Sequence, residues 1–246
     1  MLRQGVDTLL KHGCVSLGKT SLTRMTPFQI KSCLLHKTAT LQWLNDFQLR
    51  KVTQEFDHMY DRNHDGFVDK TDIQAFKKKL RSYVEMINQT AVKNVYSISY
   101  DDYWELMHEF ADTNKDGRLS REEWVEVWTQ IVDSAKDKSF SSLPQWVQMM
   151  PTSLFPVIDT KGDKIIDPEE YRLFWFHVGG YPNVDDRTLQ LYFASMTEDG
   201  KYPLTLQRVQ ELYADFYLSP DPSSPGKYIA GPFDYKNTST VNESHL

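Results

Sequence analysis

Asp112-Thr-Asn114-Lys-Asp116-Gly117-Arg118-Leu-Ser120-Arg-Glu-Glu123 is the stretch that decides the fold. It fits the calcium-loop pattern D-x-[DN]-x-[DN]-G-x5-E at every specified position. Asp112, Asn114 and Asp116 offer oxygens at positions 1, 3 and 5. Arg118 at position 7 needs only its backbone carbonyl, so its cationic side chain can point away. Ser120 at position 9 can hold a bridging water, and Glu123 at position 12 can give two carboxylate oxygens. Gly117 takes the sharp turn at position 6, where a side chain would be strained.

Two further stretches follow the same plan. Asp61-Arg-Asn63-His-Asp65-Gly66-Phe67-Val-Asp69-Lys-Thr-Asp72 ends in Asp instead of Glu. Asp159-Thr-Lys161-Gly-Asp163-Lys164-Ile165-Ile-Asp167-Pro-Glu-Glu170 carries two lysines. The flanks repeat independently of the ligands. Before the loops, Val52, Phe56 and Met59, then Tyr103, Met107 and Phe110, then Met150, Leu154 and Val157 keep one spacing. That spacing lines one helical face. After the loops, Val68, Ile73 and Phe76 are matched by Leu119, Trp124 and Val127, and by Ile166, Tyr171 and Phe174. The same exit register returns as Leu204, Val209 and Leu212, so a fourth unit exists. Its loop would run from Thr197 to Arg208, with a cation at position 12 and Pro203 at position 7. Its entering face, Leu189, Phe193 and Met196, fits only a loop one residue short. It reads as a metal-free helix pair.

EF-hand units pair through the short strand around position 8, so four units predict two pairs. The expected fold is all-α: a compact four-EF-hand globule of two EF-hand pairs with short loop-pairing β-bridges. The first pair spans 41–135 and the second 145–218, with a polar linker at 136–144 closed by Pro144. A longer connection near Asn88 to Ser99 joins the first two hands. Residues 219–246, with Pro220, Pro222, Pro225 and Pro232, cannot be helical. Tyr228, Ile229 and Phe233 are expected to anchor that stretch on the body, with a mobile tail beyond Asn237.

Charge is unevenly spread over the 246 residues. Residues 1–44 hold six Lys/Arg against Asp7, a net of +5. With 28 basic and 34 acidic residues in all, the remainder holds 22 and 33, a net of −11. An acidic body suits cation binding and argues against a nucleic-acid partner. No run of 18 apolar residues occurs, so no membrane span is expected. Cys14 and Cys33 lie in the leader, and the cysteine-free body fits a reducing, cytoplasmic setting. The sequons at Asn88, Asn237 and Asn242 are read as chance matches, because no apolar signal segment leads the chain. The basic, acid-poor leader 1–40 is expected to be disordered, with Met25 as an alternative start. Its composition also suits a mitochondrial presequence, with Leu2, Val6, Leu9 and Leu10 roughly on one helical face.

Trp43-Leu-Asn-Asp-Phe47, the Asn63-His64-Asp65-Gly66 loop, Glu122-Glu123-Trp124 and Ser142-Leu-Pro-Gln-Trp146 resemble calexcitin and the sarcoplasmic calcium-binding proteins, calexcitin most. The likeness covers about residues 41–235. It implies a compact four-hand globule in which hands one to three bind cation and hand four does not. It also places the C-terminal extension at the segment ending Gly231-Pro-Phe233, and suggests signalling in excitable cells. Asp72, Lys161, Lys164 and the basic leader depart from the family pattern.

Loop two, with Asp112, Asn114, Asp116, the Arg118 carbonyl and Glu123, is expected to bind Ca2+ best. Loop one offers Asp61, Asn63, Asp65, the Phe67 carbonyl and Asp72. The shorter Asp72 favours a six-oxygen site, hence weaker calcium selectivity and room for Mg2+. Loop three keeps Asp159, Asp163, the Ile165 carbonyl and Glu170. Lys161 opposes the cation there, and Lys164 costs about 1 kcal/mol at the turn; weak binding and a purely structural loop both stay open. No Ser-His-Asp set, zinc spacing or phosphate-binding glycine loop stands out, so no catalysis is expected. The predicted role is an intracellular, monomeric calcium buffer or sensor whose protein target is unknown. The aromatic repeat faces favour limited opening. The rival is a calcium-triggered photoprotein or luciferin-binding ligand carrier, against which the pattern of intact loops weighs.

Overall fold

In a computed structural model, the residues described are 44–87, 100–135, 137–179, 181 and 184–233. The leader, Trp43, the 88–99 connection, Gly180, the three sequons and the tail beyond 237 lie outside them.

The first helix, α1 (Asp46–Glu55), starts at Asn45. The Asn45 side chain accepts the Gln48 N–H, while Gln48 accepts the Asn45 N–H in return. This reciprocal capping satisfies two donors that the helix cannot satisfy internally. α1 continues into a π-helical turn, Phe56–Tyr60, that delivers Asp61. The chain then forms β1 (Phe67–Val68), α2 (Lys70–Met86), α3 (Tyr100–Ala111), β2 (Leu119–Ser120) and α4 (Arg121–Ser134). The second half holds α5 (Gln145–Ile158), α6 (Pro168–His177), α7 (Asp186–Thr197) and α8 (Leu206–Leu218). Short 3-10 turns lie at Phe140–Ser142 and Pro225–Tyr228.

Loop pairing follows the predicted register. β1 and β2 are antiparallel with Val68 opposite Leu119, and a single antiparallel bridge joins Ile166 to Leu204. All four are position-8 residues, and all four are buried. The apolar faces on both sides of the loops form one continuous core. Phe110 and Phe193 are the partial exceptions, packed at its margin.

Aromatic side chains join the two pairs. Trp128 on α4 stacks on Tyr217 of α8, with centroids 3.8 Å apart and planes within 5°. Trp146 on α5 lies 5.7 Å from Trp128 and 6.1 Å from Trp124. Trp124 donates its indole N–H to the Val52 carbonyl, fixing α4 against α1 at 2.8 Å. Rings of this size bury large apolar areas and add geometric preference to them. Beside them Glu55 on α1 accepts the Tyr217 hydroxyl at 2.6 Å. Burial pushes the Glu55 carboxyl up to about 8, against the lowering pull of that hydroxyl.

The segment after α8 runs back across α1. Ser219 carbonyl accepts Lys51 Nζ at 3.0 Å, and Pro220 carbonyl accepts Asn45 Nδ2 at 2.9 Å. Tyr228 stacks on Tyr192 at 4.1 Å, and its carbonyl accepts the Tyr171 hydroxyl. Ile229 and Phe233 are buried. The expectation of no helix here needs one amendment: a single 3-10 turn forms, starting at Pro225. A proline at the first position of a turn removes no needed donor.

Candidate metal sites

Each of the first three loops ends inside a helix cap. Position 9 is the N-cap of the exit helix and position 12 its third residue. Asp69 and Asp72, Ser120 and Glu123, and Asp167 and Glu170 each form the reciprocal capping box. One carboxylate therefore serves both the helix start and the loop.

The position-12 carboxylates occupy equivalent places. Glu123 Oε1 accepts Thr113 N, Thr113 Oγ1 and Asn114 N at 3.1–3.2 Å, while Oε2 accepts Ser120 N and Oγ. Asp72 Oδ1 accepts Arg62 N and Asn63 N, and Oδ2 accepts Asp69 N. Glu170 accepts Lys161 N, the Thr160 hydroxyl and Asp167 N. The missing methylene of Asp72 thus does not stop it reaching the same backbone donors as Glu123. Their electrostatics differ. Burial raises Asp72 above the usual aspartate range despite its backbone donors. Burial also acts to raise Glu123, but the donors from Ser120, Asn114 and Thr113 outweigh it and hold Glu123 below the glutamate range.

Position 1 is equally consistent. Asp61 accepts Gly66 N and Asp65 N, Asp112 accepts Gly117 N and Lys115 N, and Asp159 accepts Lys164 N and Gly162 N. All three are buried, as are the three carboxylates at position 12. Asp65, Asp116 and Asp163 at position 5 are exposed and turn back on the position-7 N–H of Phe67, Arg118 and Ile165. Asn63 and Asn114 at position 3 each donate to the position-5 carboxylate of their loop. Among the described residues, no three His, Cys, Asp or Glu side chains are gathered tightly enough to hold a metal by themselves. The carboxylates instead spend their lone pairs on loop N–H groups.

The donor set nevertheless fits a hard divalent cation in loops one and two. It consists of carboxylate, amide and carbonyl oxygens with no soft ligand. Two buried carboxylates per loop are also costly without a compensating charge. Arg118 behaves as its loop position requires: its guanidinium turns out of loop two and lies 4.2 Å from the Phe67 ring centroid, across the paired loops. Loop three fits less well. Lys161 at position 3 forms a close ion pair with Asp167 at position 9, two positions a metal or its water would use. Lys164 adopts φ 70°, the left-handed turn that Gly66 and Gly117 take without a side chain.

Some partners of these loops lie outside the motif itself. His108, one turn before Asp112, places Nε2 2.9 Å from Asp112 Oδ2. Arg62, at position 2 of loop one, donates to the His58 carbonyl at 2.8 Å and to the Val178 carbonyl at 3.1 Å. Val178 caps the end of α6, so loop one is fastened to the third hand. An i, i+4 spacing hints at the His108 contact. The contact from Arg62 spans 116 residues and had no such hint.

Residues 50–129 match the EF-hand domain pair model. Helix–loop–helix units joined by position-8 bridges, with oxygen-lined loops, define an EF-hand protein of four hands. The chain belongs to the sarcoplasmic calcium-binding protein family. It is 31% identical over 181 residues to sarcoplasmic calcium-binding proteins II, V, VI and VII of Branchiostoma lanceolatum, covering 72% of this chain and 92% of that one. It superposes on the sarcoplasmic calcium-binding protein structure from amphioxus with a TM-score of 0.62 at 30% identity, covering 76% of this chain and 98% of the other. Calcium-loaded apo-aequorin from Aequorea victoria is similar in fold alone, at 15% identity, TM-score 0.55, and 72% and 94% coverage. Of the two names in the sequence resemblance, these relatives carry the sarcoplasmic one.

Proposed function

We propose that this chain is a non-catalytic calcium-binding protein that acts as a calcium buffer with modest sensing. The observation that carries the reading is the pair of buried carboxylates at positions 1 and 12 of each intact loop. Loop two is the principal site, through Asp112, Asn114, Asp116, the Arg118 carbonyl and Glu123. Loop one, through Asp61, Asn63, Asp65, the Phe67 carbonyl and Asp72, takes calcium with less selectivity over magnesium. Loop three, through Asp159, Asp163, the Ile165 carbonyl and Glu170, is the weakest. The working unit is a monomer of two pairs, 41–135 and 145–218, in the cytoplasm. Among the described residues no helix is long and apolar enough to cross a membrane. The likeness to sarcoplasmic calcium-binding proteins, named for what they bind, supports calcium as the ligand.

The stacked Trp128–Tyr217 centre favours packing over the chromophore carrier. Limited opening follows from the same rigid core, since sensors expose a pliable, Met-rich groove.

Calorimetry with calcium, then magnesium, on wild type and Glu123→Gln tests the assignment. The tightest site should weaken on the order of 100-fold in Glu123→Gln, because the charge count of the ligands sets affinity. An unchanged tightest site would overturn the assignment to loop two. A strong calcium-dependent rise in hydrophobic-dye binding would replace the buffer with a sensor.

A further inference from the structure

The fourth loop inverts the electrostatics of the other three. Counted back from the exit helix, position 1 is Thr197, a buried neutral residue that closes α7, and position 12 is Arg208. In loops one to three the position-12 carboxylate turns toward backbone N–H groups at the loop start. Arg208 turns instead to a carbonyl: its Nε and Nη2 both donate to the Met196 oxygen, at 3.1 and 3.0 Å. Met196 is in the last turn of the entering helix α7. A cation at a helix C-terminus is favoured by the helix dipole and satisfies an orphan acceptor. The guanidinium also lies 3.8 Å from Glu198 and 3.5 Å from Glu211, and 5.2 Å from the Tyr202 ring centroid. Thr205 still caps the exit helix by accepting Arg208 N, so the backbone at position 12 sits as in the other hands. Thr197 Oγ1 accepts the Gly200 N–H, closing the loop start without a carboxylate.

We infer that Arg208 is a resident cation that locks entering and exit helices of the fourth hand together in the absence of metal, and thereby holds the strand of loop three in place before calcium arrives. The physical link is short. Leu204 lies four residues before Arg208, and its carbonyl accepts the Ile166 N–H at 3.0 Å. Ile166 is position 8 of loop three, between the Ile165 carbonyl and Asp167. A loop whose strand is already paired loses less freedom on binding. Loop three has a weakened ligand set, so this ordering matters more there than in loops one and two. That affinity consequence rests on the proposed binding at loop three; the locking itself does not.

Amide hydrogen exchange on the full chain in excess chelator tests the lock. Wild type should protect the Ile166 amide without metal. Arg208→Ala should exchange at Ile166 at least tenfold faster, with Val68 and Leu119 unchanged as internal controls. Arg208→Met, which keeps the stem and removes the charge, should behave the same and serves if the alanine variant unfolds. Ile166 exchange within twofold of wild type in both variants would overturn the inference, as would equal acceleration at Val68 and Leu119. Calorimetry with calcium separates the two readings. If wild type binds only at loops one and two, the binding at loop three falls, while the exchange result still decides the role of Arg208.

Discussion

The first and second EF-hand pairs meet the same electrostatic problem and solve it differently. In the first, both loops bury carboxylates at positions 1 and 12, and positions 3 and 5 are Asn and Asp, with no cation at either of them or at position 12. In the second, protein cations enter the loops: Lys161 pairs with Asp167, and Arg208 replaces the final carboxylate. The first pair is left with buried negative charge that the proposed ion would complete. The second is partly completed by its own side chains. The proposed metal dependence is therefore set loop by loop, while the hydrophobic frame is common to both.

The largest effect should come from the joint between the pairs. Trp128 is fully buried and stacks on Tyr217, so Trp128→Ala should cost about 3–5 kcal/mol. Denaturant unfolding in chelator should then separate into two transitions, the second pair outlasting the first. One cooperative transition with the full loss would show that the pairs do not hold separate stabilities.

Glu55 tests the same joint by pH. It sits on α1 of the first pair and accepts from Tyr217 of the second, and Oε2 has no partner among the described residues. Its ordinary value of 4.5 is raised to about 8 on folding, chiefly by burial. Between those values the folded protein keeps a proton that the unfolded chain has released. Its contribution is full below pH 4.5 and is lost as pH rises through about 8, with a slope of at most about 1.4 kcal/mol per pH unit. Lys51, lowered to about 7 by burial against the pull of Asp215, acts in the opposite sense above pH 7. Comparing wild type with Glu55→Gln cancels the Lys51 term. The melting temperature of wild type in chelator should fall relative to the variant from pH 5 to 8; parallel curves would refute a protonated Glu55.

Much of this was legible in the chain because helices and loops of this kind are specified locally. The apolar spacing around each loop fixed Val52, Phe56 and Met59 on one face, and Val68 opposite Leu119. The short fourth loop, read from Met196 and Leu204, is matched by α7 ending at Thr197 and by the Ile166–Leu204 bridge. The same spacing carried α5 through Pro151 and Pro156, where a missing N–H alone would argue for an end, because Met150, Leu154 and Val157 share one buried face. What escaped was long-range. The partners of Lys51, Arg62 and Arg208 depend on how helices meet, which no local spacing encodes. Asp72 shows the limit within a motif. Its length was legible, but not that it reaches the backbone donors of Glu123 while lacking the hydroxyl donors of Thr113 and Ser120.

That difference sharpens the contrast inside the first pair. Asp72→Glu should move loop one toward seven-oxygen coordination and raise its preference for calcium over magnesium by about tenfold, or 1.4 kcal/mol. Competitive calorimetry reads the ratio directly. If the preference stays put, the methylene is not what separates the two loops, and Arg62→Thr, which supplies the counterpart of the Thr113 hydroxyl, becomes the informative variant.

The smallest effect isolates backbone from charge in loop three. Loops one and two place glycine at position 6, with φ 87° at Gly66 and 84° at Gly117, and tolerate His64 and Lys115 at position 4 with φ 59° and 62°. Loop three reverses the order, with Gly162 at position 4 and Lys164 at position 6, φ 71° and 70°. A side chain at either position carries a penalty of about 1–2 kcal/mol. The double swap Gly162→Lys/Lys164→Gly moves that penalty without changing the number of glycines, so the entropy of the unfolded chain is unchanged. Its stability should stay within about 0.5 kcal/mol of wild type, and its calcium affinity at loop three should barely move. A larger gain in affinity would place the weakness of loop three in its turn; no gain places it in the Lys161–Asp167 ion pair, and so in the cations the second pair has taken from its own chain.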